Sequence, residues 1–267
     1  MTQEEKARMF AAIHANTFVL PNAWDAASAR IFQEEKFTAI GTTSAGIAFS
    51  CGYADGQHIP APEMLAAVKR IAAAVDVPVS ADVEAGYGDP LGTAQRAWEA
   101  GAVGINLEDT PGESESTRTP LDSQVDVIRR IRSAVPDMVV NARTDVFLKG
   151  VGEEESRIAE ALERLKAYRD AGAHCLFAPG IKSSQTIAAL TSDLRAPLNI
   201  LASPGLPSID KMRKLGVKRI SLGSGPMRAC MGLIVQIAQE IQNAGNYQAA
   251  IGRAYPYSEA NRLFRRG

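Results

Sequence analysis

No apolar run in this 267-residue chain approaches the roughly 18 or more residues needed to span a bilayer, which excludes a transmembrane helix. Neither sign of charge is in real excess. The 29 Lys and Arg against 30 Asp and Glu leave a formal net charge of −1, and so no electrostatic footprint for nucleic acid or an anionic membrane. Cysteine is scarce: Cys51, Cys175 and Cys230 are odd in number, far apart and without metal-ligand spacing, which points to reduced, mostly buried thiols. The opening Met1-Thr2-Gln3-Glu4-Glu5-Lys6 has neither the basic start nor the apolar core of a signal peptide, so a cytoplasmic location is expected. Also lacking are a linker, a low-complexity tract and any shift in composition. Residues 1–267 are therefore read as one domain, with an N-terminal helix at 3–15 and a helical tail over 226–267.

What is present is a repeated unit. Short apolar, often β-branched runs lie near residues 17–21, 38–43, 78–84, 103–108, 139–144, 174–178, 198–201 and 218–222. Between several of them sit one-sided helices of 3.6 periodicity: Met64, Leu65, Val68, Ile71 and Val75; Ile158, Ala161, Leu162, Leu165 and Tyr168; Met227, Cys230, Ile234 and Ile241. Pro62, Pro90 and Pro226 fall at helix starts, and Gly101, Gly172 and Gly216 just past helix ends. Eight strand–helix units in one chain predict an α/β fold, a closed (β/α)8 TIM barrel. A doubly wound sheet would show a glycine-rich first turn, and Pro21-Asn22-Ala23-Trp24-Asp25 is not one. The tail from Gly245 carries Tyr247, Tyr255, Tyr257 and Phe264, and is expected to dock on the barrel or on a partner subunit.

Sites in such barrels lie at the C-terminal strand ends, so the inward-facing residues there carry the information. In Pro78-Val79-Ser80-Ala81-Asp82-Val83-Glu84, alternation places Ser80, Asp82 and Glu84 on one face. The same reading turns Gly104, Asn106 and Glu108, Asn141 and Arg143, and Asn199 inward, and ends the second strand in Thr42-Thr43-Ser44. The mouth is thus lined by Asp82, Glu84, Glu108, Arg143 and Asn199. Three carboxylates on strands about 4.8 Å apart call for a hard divalent cation, Mg²⁺ by preference with Mn²⁺ the alternative. Arg143 could serve equally as a counter-ion to those acids. His14, His58 and His174 are read as structural, and no strand lysine offers Schiff-base chemistry. Gly223-Ser224-Gly225-Pro226 reads either as a plain turn or as a phosphate cradle at a helix start.

These residues resemble the isocitrate lyase and phosphoenolpyruvate mutase superfamily. The resemblance runs through Pro21-Asn22-Ala23-Trp24-Asp25-Ala26, Thr42-Thr43-Ser44-Ala45-Gly46, Gly52-Tyr53-Ala54-Asp55, Asp82-Val83-Glu84-Ala85-Gly86-Tyr87-Gly88, Asn106-Leu107-Glu108-Asp109 and Asn141-Ala142-Arg143-Thr144-Asp145. It implies a Mg²⁺-dependent barrel acting on a small 2-oxo acid or 2-hydroxy acid. It also implies a homo-oligomer, dimer or tetramer, whose last helix is exchanged between subunits. By the same resemblance Asp82 touches the metal, while Asp55, Glu84 and Glu108 hold its waters. Thr43, Ser44 and Ala45 bind the substrate carboxylate, with Trp24, Asp82 and Asn199 beside the substrate. Arg143, Asp55 and Glu108 take the catalytic roles.

Two departures bear on the substrate. The citrate-type lyases carry a cysteine motif after the fourth strand, whereas the loop from Thr110 to Thr119 has none; it is expected to be a mobile lid. Those lyases also place a glutamate after a proline at the end of the sixth strand, where this chain reads Phe177-Ala178-Pro179-Gly180. The leading expectation is a Mg²⁺-dependent lyase that cleaves or forms a C–C bond beside a 2-oxo acid through an enolate, oxaloacetate decarboxylation included. The alternatives are a phosphonopyruvate hydrolase or phosphoenolpyruvate mutase acting on a P–C bond, and a 2-oxo acid binding protein without turnover.

Overall fold

Residues 1–112, 118–150 and 153–265 are described by the structure, a computed structural model of the chain. Its strands are β1 (Phe18–Leu20), β2 (Asn22–Ala23), β3 (Ile40–Thr42), β4 (Val79–Asp82), β5 (Gly104–Glu108), β6 (Val139–Arg143), β7 (Cys175–Phe177), β8 (Leu198–Leu201) and β9 (Arg219–Ser221). All pair in parallel, in the order β1-β9-β8-β7-β6-β5-β4-β3-β2. The first expected strand is split at Pro21, which has no N–H to give to a ladder. Its first half pairs with β9 and its second with β3, while the Pro21 carbonyl accepts from Gly41 N at 2.8 Å. One stave thus changes neighbours midway, and the ring of a (β/α)8 barrel closes through it.

Outward-facing strand residues, among them Ala81, Ile105, Leu107, Val140, Ala142, Leu176 and Ile200, form one buried cluster with Val68, Ile71, Ile128, Ile131, Leu165, Ile187 and Leu190 of the surrounding helices. Each fully buried Val, Leu or Ile contributes about 1.5–3 kcal/mol, so this shell holds the ring in place. The lower end of the barrel is stopped by the helix Gln3–Ile13, which begins in a capping box between Thr2 and Glu5. Its Phe10 is wholly buried, and a Cβ on Gly104 would lie 2.8 Å from that ring, so only glycine lets the plug seat. His14 and His174 are structural: the His14 Nδ1 lies 2.8 Å from the Phe10 carbonyl, and the His174 Nδ1 accepts from Val140 N at 3.2 Å. Burial brings both imidazoles down to about 4.

The C-terminal helices differ from one another in how they sit on the barrel. The helix Gly225–Ala244 buries none of its residues in the chain, and Met231, Ile234, Val235 and Ile241 stand exposed. The helix Tyr257–Phe264 returns to the barrel, burying Leu263 and bonding Arg262 Nη2 to Glu34 Oε1 at 2.7 Å. Among the described residues no helix is long and apolar enough to cross a membrane.

Candidate active site

At the C-terminal end of β4, Asp82 is fixed by three donors. Its Oδ2 accepts from the Ser44 N–H at 3.0 Å and the Ser44 hydroxyl at 2.8 Å, and its Oδ1 from Asn106 Nδ2 at 2.8 Å. Its own N–H donates to Thr42 Oγ1 at 2.9 Å. Asn106 is held in turn by Asn141 Nδ2 at 2.9 Å. Ser44 does not end a strand, as alternation suggests, but opens the helix Ser44–Ser50 with Thr43 as its cap. Thr43 Oγ1 accepts from Gly46 N, which leaves its hydrogen to donate. Ala45 lines the cavity in that helix's first turn, where an N–H has no intrahelical acceptor.

Two strands on from β4, β6 presents Arg143 as a fork. Its Nη1 reaches Glu108 Oε2 at 2.7 Å and its Nε reaches Asp145 Oδ1 at 2.6 Å. Register explains the first contact, since Glu108 pairs directly with Arg143. Burial acts against the Arg143 charge, but the carboxylates of Glu108 and Asp145 outweigh it and raise the group further. Burial drives Glu108 well above the usual carboxylate range, against the pull of Arg143. Asp145 is anchored from below: its N–H donates to Asp109 Oδ1 at 3.1 Å, and the buried Asp109 also accepts from Tyr168 Oη at 2.8 Å and Arg164 Nη1 at 3.3 Å.

Glu84 is not aligned by strand alternation. The strand stops at Asp82, and Glu84 sits in a turn with φ +49, followed by Tyr87 at φ +53. Such left-handed backbone in residues with a Cβ costs on the order of 1 kcal/mol or more and marks a turn held by its surroundings. The turn lets Tyr87 Oη donate to Glu84 Oε1 at 2.7 Å. Burial, opposed by that bond and reinforced by the charges of Asp82 and Asp55, pushes Glu84 up to about 7.

Two adjoining spaces result. An inner cavity of about 170 Å³ is lined by Asp82, Asp55, Ser44, Arg143 and Asn199, and an outer one of about 560 Å³ by Asp55, Glu84, Glu108 and Asp145. Among the described residues the acids do not converge into a direct ligand cluster of three or more. Asp82 on β4 and Asp55 both line the inner cavity, Asp55 bordering the outer one as well, while Glu84 and Glu108 line only the outer. That donor set is all hard oxygen, and it suits a small cation that keeps several waters and touches one or two carboxylates, as Mg²⁺ does. Asp82 would hold such an ion directly, the other three through its waters.

The family model described as phosphoenolpyruvate phosphomutase matches residues 10–242. The chain belongs to the phosphoenolpyruvate phosphomutase family. An uncharacterised Mycobacterium tuberculosis (strain ATCC 25618 / H37Rv) protein is 35% identical over 91% of the chain and 90% of its own length. An oxaloacetate decarboxylase of Rhodopseudomonas palustris (strain HaA2) is 27% identical over 95% and 90%. A crystal structure of a Burkholderia cenocepacia J2315 protein superposes with a TM-score of 0.91 at 36% identity, covering 98% of this chain and 97% of the other. A 2,3-dimethylmalate lyase structure, of the phosphoenolpyruvate mutase and isocitrate lyase superfamily, gives 0.83 at 26% identity over 97% and 94%.

Of the residues that the sequence singles out, Thr43, Ser44, Ala45, Asp55, Asp82, Arg143 and Asn199 line the inner cavity of this family member, and Glu84 and Glu108 the outer. Trp24 is not among the lining residues. Its Cβ lies 3.1 Å from where a Cβ on Gly46 would be, its N–H donates to Ser28 Oγ, and the ring packs against the core. The middle of the lid expected over 110–119, residues 113–117, falls outside the described residues. Its far anchor is described, with Arg118 Nε and Nη2 each 2.8 Å from the Glu160 carboxylate.

Sequence reasoning assigned no role to several lining residues, Asn22, Asp145 and Arg219 among them. Asn22 Oδ1 accepts from the N–H groups of Leu222 and Gly223 at 2.8 and 2.9 Å while its Nδ2 donates to Thr42 O at 2.7 Å, tying the ends of the first and last staves together. Asp145 stands two residues beyond Arg143 in the same motif. Arg219 shares the inward face of β9 with Ser221, which alternation alone shows.

Gly180, in the place where citrate-type lyases carry glutamate, has φ +93, and a Cβ there would lie 2.9 Å from the backbone of Phe147 and Leu148. No side chain fits without moving that loop. Gly180→Ala is expected to lower stability by about 1–3 kcal/mol, read as a lower urea midpoint at unchanged slope.

Proposed function

We propose that this protein is a Mg²⁺-dependent lyase that cleaves or forms a C–C bond beside a small 2-oxo acid. The observation that carries this reading is one cavity at the barrel mouth lined both by Asp82, oriented by Ser44 and Asn106, and by Arg143, forked onto Glu108 and Asp145. Relatives along nearly the whole chain include an oxaloacetate decarboxylase and, at 28% identity, proteins named as probable 2-methylisocitrate lyases.

In this mechanism the substrate carboxylate lies against Ser44 and Ala45 at the start of their helix, with the Thr43 hydroxyl in reach. Mg²⁺, when bound, supplies Lewis-acid stabilisation of the negative charge that an enolate carries. Arg143 adds a second fixed positive charge, preorganised by its two carboxylates so that it need not reorient as charge develops. The half-buried site keeps water from competing with these contacts. The cysteine-free segment after β5 and the glycine at 180 favour a reaction such as decarboxylation, whose enolate takes its proton from solvent, over cleavage that needs a cysteine acid.

The same proposal covers the setting. A second copy of the chain is the natural cover for the exposed apolar side of Gly225–Ala244, in a dimer or tetramer that exchanges this helix. A cytoplasmic location agrees with three free cysteines.

The test is a substrate panel of oxaloacetate, 2-methylisocitrate, dimethylmalate and phosphonopyruvate, each with Mg²⁺ and with chelator, read as pyruvate, succinate or phosphate. Chelator-sensitive C–C cleavage supports the reading. Phosphate release without C–C cleavage would move the protein to P–C chemistry, and Mg²⁺-dependent binding of 2-oxo acids without turnover would make it a binding protein.

A further inference from the structure

Arg219 is a buried cation that forms no ion pair among the described residues. It lies on β9, paired with Asn199 on one side and Phe18 on the other, and is 3% exposed. Its Nε and Nη1 are buried with no hydrogen-bond partner among the described residues. Asp82, whose charge acts on it, is bonded instead to Ser44 and Asn106. The contact found for the guanidinium is with the plug, its carbon standing 5.8 Å from the Phe10 ring centre, a cation–π contact worth about 0.5–2 kcal/mol. That is less than a guanidinium loses on leaving water, and arginine does not shed its proton in proteins.

The wall around it is built for negative charge. Arg219, Ser221, Gly223 and Ser224 line the inner cavity in succession along β9 and beyond. Asn199 Nδ2 donates to Ser221 Oγ at 3.2 Å, which leaves the serine hydrogen to donate into the cavity. Ser224 opens the 20-residue helix Gly225–Ala244, and its side chain makes no cap bond. Every carboxylate that lines the cavity, Asp55 and Asp82, belongs to other elements. The cavity is therefore bipolar, with a cation-holding wall and an anion-holding wall.

We propose that Arg219 and the Ser221 hydroxyl receive a second carboxylate of the substrate, so that Arg219 selects 2-oxo acids that are dianions over those with a neutral tail. This rests on the reading of the cavity as a 2-oxo acid site. A free inorganic anion presents the same chemistry, and the experiment separates the two.

Calorimetric binding is measured in Mg²⁺ for 2-oxoglutarate and 2-oxobutyrate, with the wild type, Arg219→Met and Arg219→Lys. The expected result is that the wild type binds 2-oxoglutarate at least about tenfold more tightly, as a charge-assisted hydrogen bond of about 1.5–3 kcal/mol implies. Arg219→Met should abolish that preference while changing 2-oxobutyrate affinity by less than about threefold, and Arg219→Lys should keep part of it. Equal losses for both ligands would make Arg219 purely structural and overturn the proposal, as would a wild type without preference. Should Arg219→Met not fold, the wild-type preference and Arg219→Lys decide. Inorganic phosphate that raises the thermal midpoint of the wild type alone, with no preference between the two acids, would assign the site to a free anion and overturn the second carboxylate. Failure of both acids to bind the wild type would remove the underlying 2-oxo acid reading, whereas Mg²⁺-dependent 2-oxobutyrate binding leaves it standing whatever Arg219 does.

Discussion

Asp82→Ala is expected to remove Mg²⁺ binding and, with it, all metal-dependent turnover. Loss of a group that merely orients a metal ligand costs about 10–100-fold in affinity, and Asp82 is the carboxylate proposed to touch the ion, so its loss should exceed that range. The substitution also strips the acceptor from the Ser44 N–H, the Ser44 hydroxyl and the Asn106 amide. Each buried donor left unpaired costs about 1–3 kcal/mol, so a lower thermal midpoint should accompany the lost metal. Asp82→Asn separates the effects. It keeps the volume and one acceptor, so it should restore much of the stability and little of the Mg²⁺ affinity. Mg²⁺ titration calorimetry and thermal unfolding of the two variants read this directly, and chelator-sensitive activity at wild-type level in Asp82→Ala would show that the metal sits elsewhere.

Arg143→Lys should cost kcat on the order of 10²–10³-fold, the usual loss when a preorganised donor is taken from a developing negative charge. An ammonium cannot reach Glu108 and Asp145 at once in the fork that the guanidinium makes. Arg143→Met goes further and leaves both carboxyls buried without a partner, a class of change that costs about 3–5 kcal/mol. The sign of its pH dependence follows from Glu108, which burial already raises well above the usual range with Arg143 present. Without the arginine, the folded form holds the Glu108 proton to still higher pH than the unfolded chain does. The variant is therefore most stable below the unfolded carboxylate value near 4.3 and loses stability as pH rises through the interval up to the folded value. Denaturation of wild type and Arg143→Met at pH 4.5 and 8 should show the gap widening at the higher pH; a constant gap would mean that Glu108 stays ionised throughout.

The barrel and the core of its site were readable because strand alternation and helix periodicity are both strict here. Asp82, Asn106, Arg143 and Asn199 face inward where alternation puts them, and register then makes Glu108 and Arg143 partners. Alternation fails where the chain leaves the strand. Glu84 stands in a left-handed turn whose geometry comes from Tyr87 and the residues beyond, and Ser44 belongs to a helix. The Pro21 break is visible as a residue without an N–H, but which neighbour each half pairs with is decided by barrel stagger. Arg219 and Ser221 were both open to alternation along the last strand, yet a Lys-Arg pair at a strand start reads like a solvated end. Trp24 shows the converse: its place in a motif gave it a site role, while its position beside Gly46 makes it packing. The apolar stripe of Gly225–Ala244 reads as a buried face, whereas in the single chain it lies exposed.

Phe10, seated beneath Gly104, also bears on the order of events in turnover. With the lower end of the barrel stopped, two fragments made inside it must depart through one opening, so the deeper one leaves last. A fragment held by Arg219, just above the Phe10 ring, is the deeper. Product release is then sequential by construction: the late fragment competes with substrate for free enzyme, while the early one inhibits in a noncompetitive pattern.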